Sequence, residues 1–187
     1  MKQLNAYIIE KLKISKIETK YKPKTKEELV DHMIREIEAN GLECSLNHID
    51  VSNITDMSFL FLGGNEEFWK DHPVLSSFNG DISEWDVSNV ENMGFMFYNS
   101  KFNGDISDWN VSKVENMIGM FGSSKFTGEN CDISNWDVSN VENMGGMFQN
   151  SKFKGDISTW DVSKVTNMRN MFFNSPLENN PPKWYKK

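Results

Sequence analysis

Residues 81–104 read DISEWDVSNVENMGFMFYNSKFNG, and the chain repeats this stretch almost word for word. The copies are DISDWNVSKVENMIGMFGSSKFTG from 105, DISNWDVSNVENMGGMFQNSKFKG from 132 and DISTWDVSKVTNMRNMFFNSPLEN from 156. Trp85, Trp109, Trp136 and Trp160 mark them at spacings of 24, 27 and 24 residues. A period in this range is the mark of repeats that stack one on the next, because one such unit cannot bury its apolar face alone.

Within one copy the front half, Ile82 to Val87, has the spacing I-x-x-W-x-V. Trp85 and Val87 alternate with Glu84, Asp86 and Ser88, which predicts a strand with one apolar and one polar face. In the back half, Val90, Met93, Met96 and Phe97 share one face of a helix of about ten residues. Ser88 with Glu91 reads as a capping box, and Ser112/Glu115 and Ser139/Glu142 repeat it. The fold class predicted is therefore an α/β repeat, a leucine-rich-repeat-like solenoid of about five strand–helix repeats with a helical cap at its N-terminal end. Residues 1–44 form that cap or docking segment and 45–187 the repeats, which start near 45, 81, 105, 132 and 156. A truncated repeat occupies 180–187, where Trp184 lies 24 residues after Trp160.

In the cap, Leu4, Ile8, Ile9 and Leu12 keep helical spacing over residues 3–14. Thr25 and Glu28 form a capping box ahead of Leu29, Met33, Ile34 and Ile37, and Gly41 closes that helix. The first repeat is degenerate, with Ile49 in the Trp slot. Val51 to Val87 is 36 residues where 24 is expected, so twelve residues around Gly63–Pro73, carrying Phe68 and Trp69, leave the stack as a loop. Glu129–Cys131 is a smaller, three-residue insertion.

Of the formal charge of −7, residues 1–45 carry 9 Lys/Arg against 8 Asp/Glu, and residues 46–187 carry 11 against 19. An acidic repeat region without clustered Lys/Arg excludes nucleic acid as a partner. Cys44 and Cys131 are far apart and form neither a disulfide framework nor a zinc site. His32, His48 and His72 form no constellation in the sequence. No nucleophile spacing and no phosphate-binding glycine loop occurs, so no catalytic residue, cofactor or metal is assigned. The opening residues have no apolar leader core, and no run of about 18 apolar residues spans a membrane. On that ground a cytoplasmic or virion-associated place is expected rather than an exported cell surface.

The motif DISxWDVSxVxNMxxMF resembles the BspA-type surface-protein repeat, a leucine-rich-repeat relative. It occurs in bacterial surface proteins and lipoproteins and in some bacteriophages. The resemblance covers about residues 45–187. The opening MKQLNAYIIEKLKISK with KPKTKEELVDHMIREI resembles the small segment ahead of such repeats in short, leaderless members. The resemblance implies adhesion or protein interaction without catalysis.

The residues then sort by expected role. Trp85, Trp109, Trp136 and Trp160 belong to the core, with Met93, Met117, Met144 and Met168 and with Phe97, Phe121, Phe148 and Phe172. The alternative, an aromatic platform for sugars, fits poorly with a Trp in every copy. The binding face is the polar strand side, Glu84, Asp86, Asp108, Asn110, Asn135, Asp137, Thr159 and Asp161. The loop residues Phe68 and Trp69 add to it. A second row, Asp81, Asp105, Asp132 and Asp156, caps local N–H groups, and Asn92, Asn116, Asn143 and Asn167 line a polar helix face. The function expected is non-enzymatic recognition of a protein partner. The alternatives are an accessory component of an assembly such as a phage particle, and a carbohydrate-binding adhesin.

Overall fold

The computed structural model describes residues 20–64 and 73–186. The expected helix over 3–14 and the loop residues Phe68 and Trp69 lie outside them. Two helices occur among the described residues, α1 (Lys26–Asn40) and α2 (Pro73–Ser77). Thr25 caps α1, its hydroxyl accepting from the Glu28 N–H at 3.2 Å, and Gly41 ends it at φ 92°. Both ends follow the sequence signals. The helix buries Leu29, Val30, Met33 and Ile37 against the first repeat. The described end of the twelve-residue insertion is α2, which buries Leu75.

The strand–helix repeat is overturned. The described residues contain no extended strand and no helix in any repeat; the repeats are chains of turns joined by isolated parallel bridges. In the front half the chain turns twice. The Trp85 N–H donates to the Ile82 carbonyl at 3.2 Å, and the Val90 N–H to the Val87 carbonyl at 2.9 Å. An aspartate opens each turn by accepting from the N–H two residues on, Asp81 from Ser83 at 3.0 Å and Asp86 from Ser88 at 3.1 Å.

The back half fails as a helix for a backbone reason. Phe95 and Asn99 have φ of 56° and 53°, left-handed values that a right-handed helix cannot hold. The same two places recur down the stack. Phe59, Gly119, Gly146 and Asn170 match Phe95, and Ser123, Asn150 and Asn174 match Asn99. Alternate N–H groups then point to different partners. Those of Met96, Tyr98 and Ser100 turn back to their own repeat, on Met93, Phe95 and Phe97. Those of Met93, Phe95, Phe97 and Asn99 cross to the next repeat, on Asn116, Ile118, Met120 and Gly122, at 2.7–2.9 Å. The capping box dissolves too, since the Glu91 N–H donates to Thr55 of the preceding repeat at 2.8 Å.

Stacking in register puts like on like. Phe61, Phe97, Phe121, Phe148 and Phe172 form a column with ring centroids 5.1, 5.6, 5.7 and 6.0 Å apart. Trp85, Trp109, Trp136 and Trp160 are 3–4% exposed. Each indole N–H donates to an apolar residue's carbonyl in the preceding repeat: Leu46, Ile82, Ile106 and Ile133, at 3.0–3.2 Å. Phe78, Phe102, Phe126 and Phe153 close the far side, fully buried. Met93, Met117 and Met144 are fully buried as well, whereas Met168 is half-buried, with no back half over it among the described residues.

The three-residue insertion leaves the register untouched. Asn116 still bridges Asn143, and the Phe121–Phe148 step of 5.7 Å matches its neighbours. Cys131, inside it, is buried and accepts from the Ile106 N–H at 3.3 Å. Burial pushes its thiol pKa up to about 12.

Candidate functional site

The eight residues of the expected polar face, Glu84, Asp86, Asp108, Asn110, Asn135, Asp137, Thr159 and Asp161, are all exposed. They sit at the corners of turns rather than on strands, and several have structural partners. Asp86, Asn110, Asp137 and Asp161 each accept from the Ser N–H two residues on at 3.0–3.1 Å. The Glu84 N–H donates to Asn47, and the Thr159 hydroxyl to the Ser134 carbonyl. Hydrogen bonds from Ser88, Ser139 and Ser163 hold the carboxyls of Asp86, Asp137 and Asp161 below their ordinary range. The repulsion between successive members of the row, from Asp50 on Asp86 and from Asp161 on Asp137, acts the other way and is the weaker effect. Asp81, Asp105, Asp132 and Asp156 open turns in the same manner, each bonded to the serine two residues on.

The asparagine row is a ladder and not a helix face. Asn92, Asn116, Asn143 and Asn167 carry the parallel bridges. The Asn116 amide donates to Asn92 Oδ1 at 2.9 Å, and Asn167 does the same to Asn143. Each Oδ1 also accepts from the N–H two residues on.

This ladder sets the character of the last edge. In every inner repeat alternate N–H groups of the back half are taken by carbonyls of the next one. In the last repeat no described residue accepts from Met168, Asn170 or Phe172, while the Asn174 N–H is held by the Glu178 carboxylate at 2.9 Å. Trp184 and Tyr185 cover part of the end. Trp184 stacks on Trp160 with its indole on the Ile157 carbonyl, and Tyr185 lies edge-on to Phe172 at 4.9 Å. Beside them a groove of about 510 Å³ runs past Thr166, Met168, Arg169, Asn170, Phe172 and Tyr185.

At the other end of the stack three residues meet that the sequence left scattered. His32 and Glu36 lie one turn apart on α1, and His48 comes from the first repeat. Glu36 is 3.9 Å from His32 Nε2 and 3.7 Å from His48 Nε2. Tyr21 stacks on His32 with ring centroids 3.9 Å apart, and a parallel bridge joins Tyr21 to Ile49 beside His48. Burial holds His32 below the ordinary imidazole range, with Glu36 opposing. The one available signal was His32-x-x-x-Glu36, a pair on one helix face; His48 is brought to it only by the fold.

The family described as "Mycoplasma protein of unknown function, DUF285" matches over residues 28–130 and 65–185, a span that takes in α1 and every repeat. The chain belongs to the DUF285 family. DUF285 is related to the BspA-like surface repeat proteins that the motif resembles. No curated protein and no solved structure matches this DUF285 chain. No described helix in it is long and apolar enough to cross a membrane.

Proposed function

We propose that this DUF285 chain is a non-enzymatic recognition module whose open edge, Asn167–Asn174, takes a turn-forming peptide segment of a partner protein. The observation that carries the reading is the polarity of that edge. Its odd-numbered carbonyls already accept from the preceding repeat, for example Met171 from Phe148 at 2.9 Å. The even-numbered ones are used within the turns, as Met168 accepts from Met171 at 3.1 Å. Among the described residues the edge thus offers N–H donors at Met168, Asn170 and Phe172. These donors stand as those of Met93, Phe95 and Phe97 do in an inner repeat, where the carbonyls of Asn116, Ile118 and Met120 accept from them. Two such edges cannot pair with each other, since each lacks acceptors.

The chain itself displays the matching segment. Every inner edge is filled by Asn-Met-x-x-Met-Phe, as Asn116–Phe121 fills the edge of Met93–Phe97. A partner segment of that pattern would set its first Met over Met168 and its Phe over Phe172. The acidic rows, by contrast, already spend one carboxylate oxygen each on a turn, as Asp86, Asp137 and Asp161 do.

The test is titration of the 187-residue chain with a synthetic peptide of residues 113–124, KVENMIGMFGSS, followed by amide NMR. The amides of Met168, Asn170 and Phe172 are expected to move downfield and exchange more slowly, with a scrambled peptide inert. Shifts confined to other amides, equal shifts with the scrambled peptide, or no shift at all overturn the reading.

A further inference from the structure

We propose that His32, Glu36 and His48 form a zinc site that clips α1 to the first repeat. The three side chains offer two imidazole nitrogens and one carboxylate oxygen within 4.8 Å of one another. Two imidazoles and a carboxylate with an open fourth position is a ligand set that zinc takes, with water in the remaining place. In a tetrahedral site with ligands about 2.0–2.1 Å from the metal, neighbouring ligand atoms are about 3.3 Å apart. The 3.9 and 3.7 Å contacts run to different oxygens of Glu36, and one ligand atom from each residue lies within 4.8 Å of the others, so the set is up to about 1.5 Å wide of metal-bound spacing. Binding would draw the ligands together by side-chain rotation, for which His48 and Glu36, 35% and 31% exposed, have room.

A second observation points the same way. His32 Nε2 is buried and has no hydrogen-bond partner. A buried ring nitrogen without a partner is costly, and a native structure that keeps one calls for a bound water or ion to explain it. Its neighbours hold that nitrogen toward the shared space, 3.9 Å from Glu36. Tyr21 stacks on the ring, and the Asp50 N–H to Tyr21 carbonyl bond of 2.8 Å ties that stack to the first repeat. Asn40 donates to Glu36 Oε2 at 3.1 Å and fixes the carboxylate, as outer partners of metal ligands do.

Softness and geometry select the metal. Neutral imidazoles suit zinc and its transition-metal neighbours, and disfavour calcium and magnesium, which take oxygen ligands. The ligands come from two elements: two from successive turns of α1 and one from the turn at Asn47–His48. Zinc bound here would hold the cap in place without changing any buried contact.

The experiment is calorimetric titration of the full chain with zinc, with cobalt(II) as a spectroscopic substitute. One zinc per chain is expected, with the intense visible absorption of four-coordinate cobalt. Glu36→Gln and His48→Gln should each weaken binding by at least about tenfold. Both lie at partly exposed positions, and melting of the metal-free variants checks that they fold. At equal zinc concentration the melting temperature should rise more in the wild type than in either variant. Equal affinity in wild type and variants, no binding by the wild type, or a six-coordinate cobalt spectrum overturns the proposal. The first of these would place the metal elsewhere, and the second would assign the buried nitrogen to an ordered water.

Discussion

Trp109 offers the sharpest test of how the stack is held. It is 3% exposed, lies parallel to Trp85 at 6.4 Å, and packs on Phe97 at 6.3 Å. Its indole N–H donates to the Ile82 carbonyl at 3.1 Å. A buried Trp removes about 150–250 Å² from water, which at about 25 cal/mol per Å² contributes roughly 4–6 kcal/mol. Trp109→Ala should therefore cost about 4–5 kcal/mol, within the range for large-to-small core changes. Trp109→Phe keeps most of the apolar area but orphans the Ile82 carbonyl, and should cost about 1–3 kcal/mol. Trp184 makes the same bond, at 2.9 Å to Ile157, from a half-buried position at the end. Trp184→Ala should cost about half as much as Trp109→Ala, in proportion to the smaller area it covers. Urea unfolding followed by circular dichroism reads all three. Equal costs for Trp109→Ala and Trp109→Phe, or a cost for Trp109→Ala below about 1 kcal/mol, would refute the reasoning.

Gly146 sits at φ 63°, where a Cβ would meet only the Gln149 side chain, and Asn170 fills the equivalent place at φ 58°. Gly146→Asn should stay within about 0.5 kcal/mol of wild type in urea unfolding, whereas Gly146→Val should lose about 1–2 kcal/mol or more. The lowered carboxyls of Asp81, Asp86, Asp105 and Asp137 take up protons more readily unfolded than folded. Their stabilisation is complete above about pH 4 and is lost as pH falls through the folded values, so thermal melting should drop steeply there. Asp86→Asn, which copies Asn110, should leave melting at pH 7 unchanged and make that acid loss shallower. Cys131, pushed up to about 12 and buried, should resist alkylation at pH 8 in the folded chain and react only on unfolding. Half-buried Cys44 should react first in mass-spectrometric time courses.

The repeat itself, its boundaries at the tryptophans and the cap of α1 are legible from residues alone. Repetition makes stacking unavoidable, and Thr25 with Glu28 is a local signal that needs no partner. The secondary structure of a repeat was not legible, because apolar residues at Val90, Met93, Met96 and Phe97 fit a helix turn and a string of i to i+3 turns equally well. The deciding fact is the left-handed backbone at Phe95 and Ser123, residue types that do not announce it. Aligning the copies supplies the clue, since Gly119, Gly146 and Asn170 occupy the Phe95 column. The aspartate rows misled for a related reason. A serine two residues after each one is the turn signal, yet in an alternating pattern it reads as one polar side of a strand. The histidine cluster lies beyond any local reading, because His48 is placed by the contact between α1 and the first repeat.

The corner that holds Glu129–Cys131 separates two properties that most folds bind together. Three extra residues enter there, and the bridges and ring columns on either side keep their spacing. Contour length is thus free to vary at that vertex while axial rise is fixed by the backbone ladder. A peptide tag, a protease site or a fluorophore-bearing loop spliced between the exposed Glu129 and Asn130 would ride on the outside of the column without altering its pitch. The same freedom lets a lineage diversify one flank of the molecule while every rung beneath it stays under unchanged constraint.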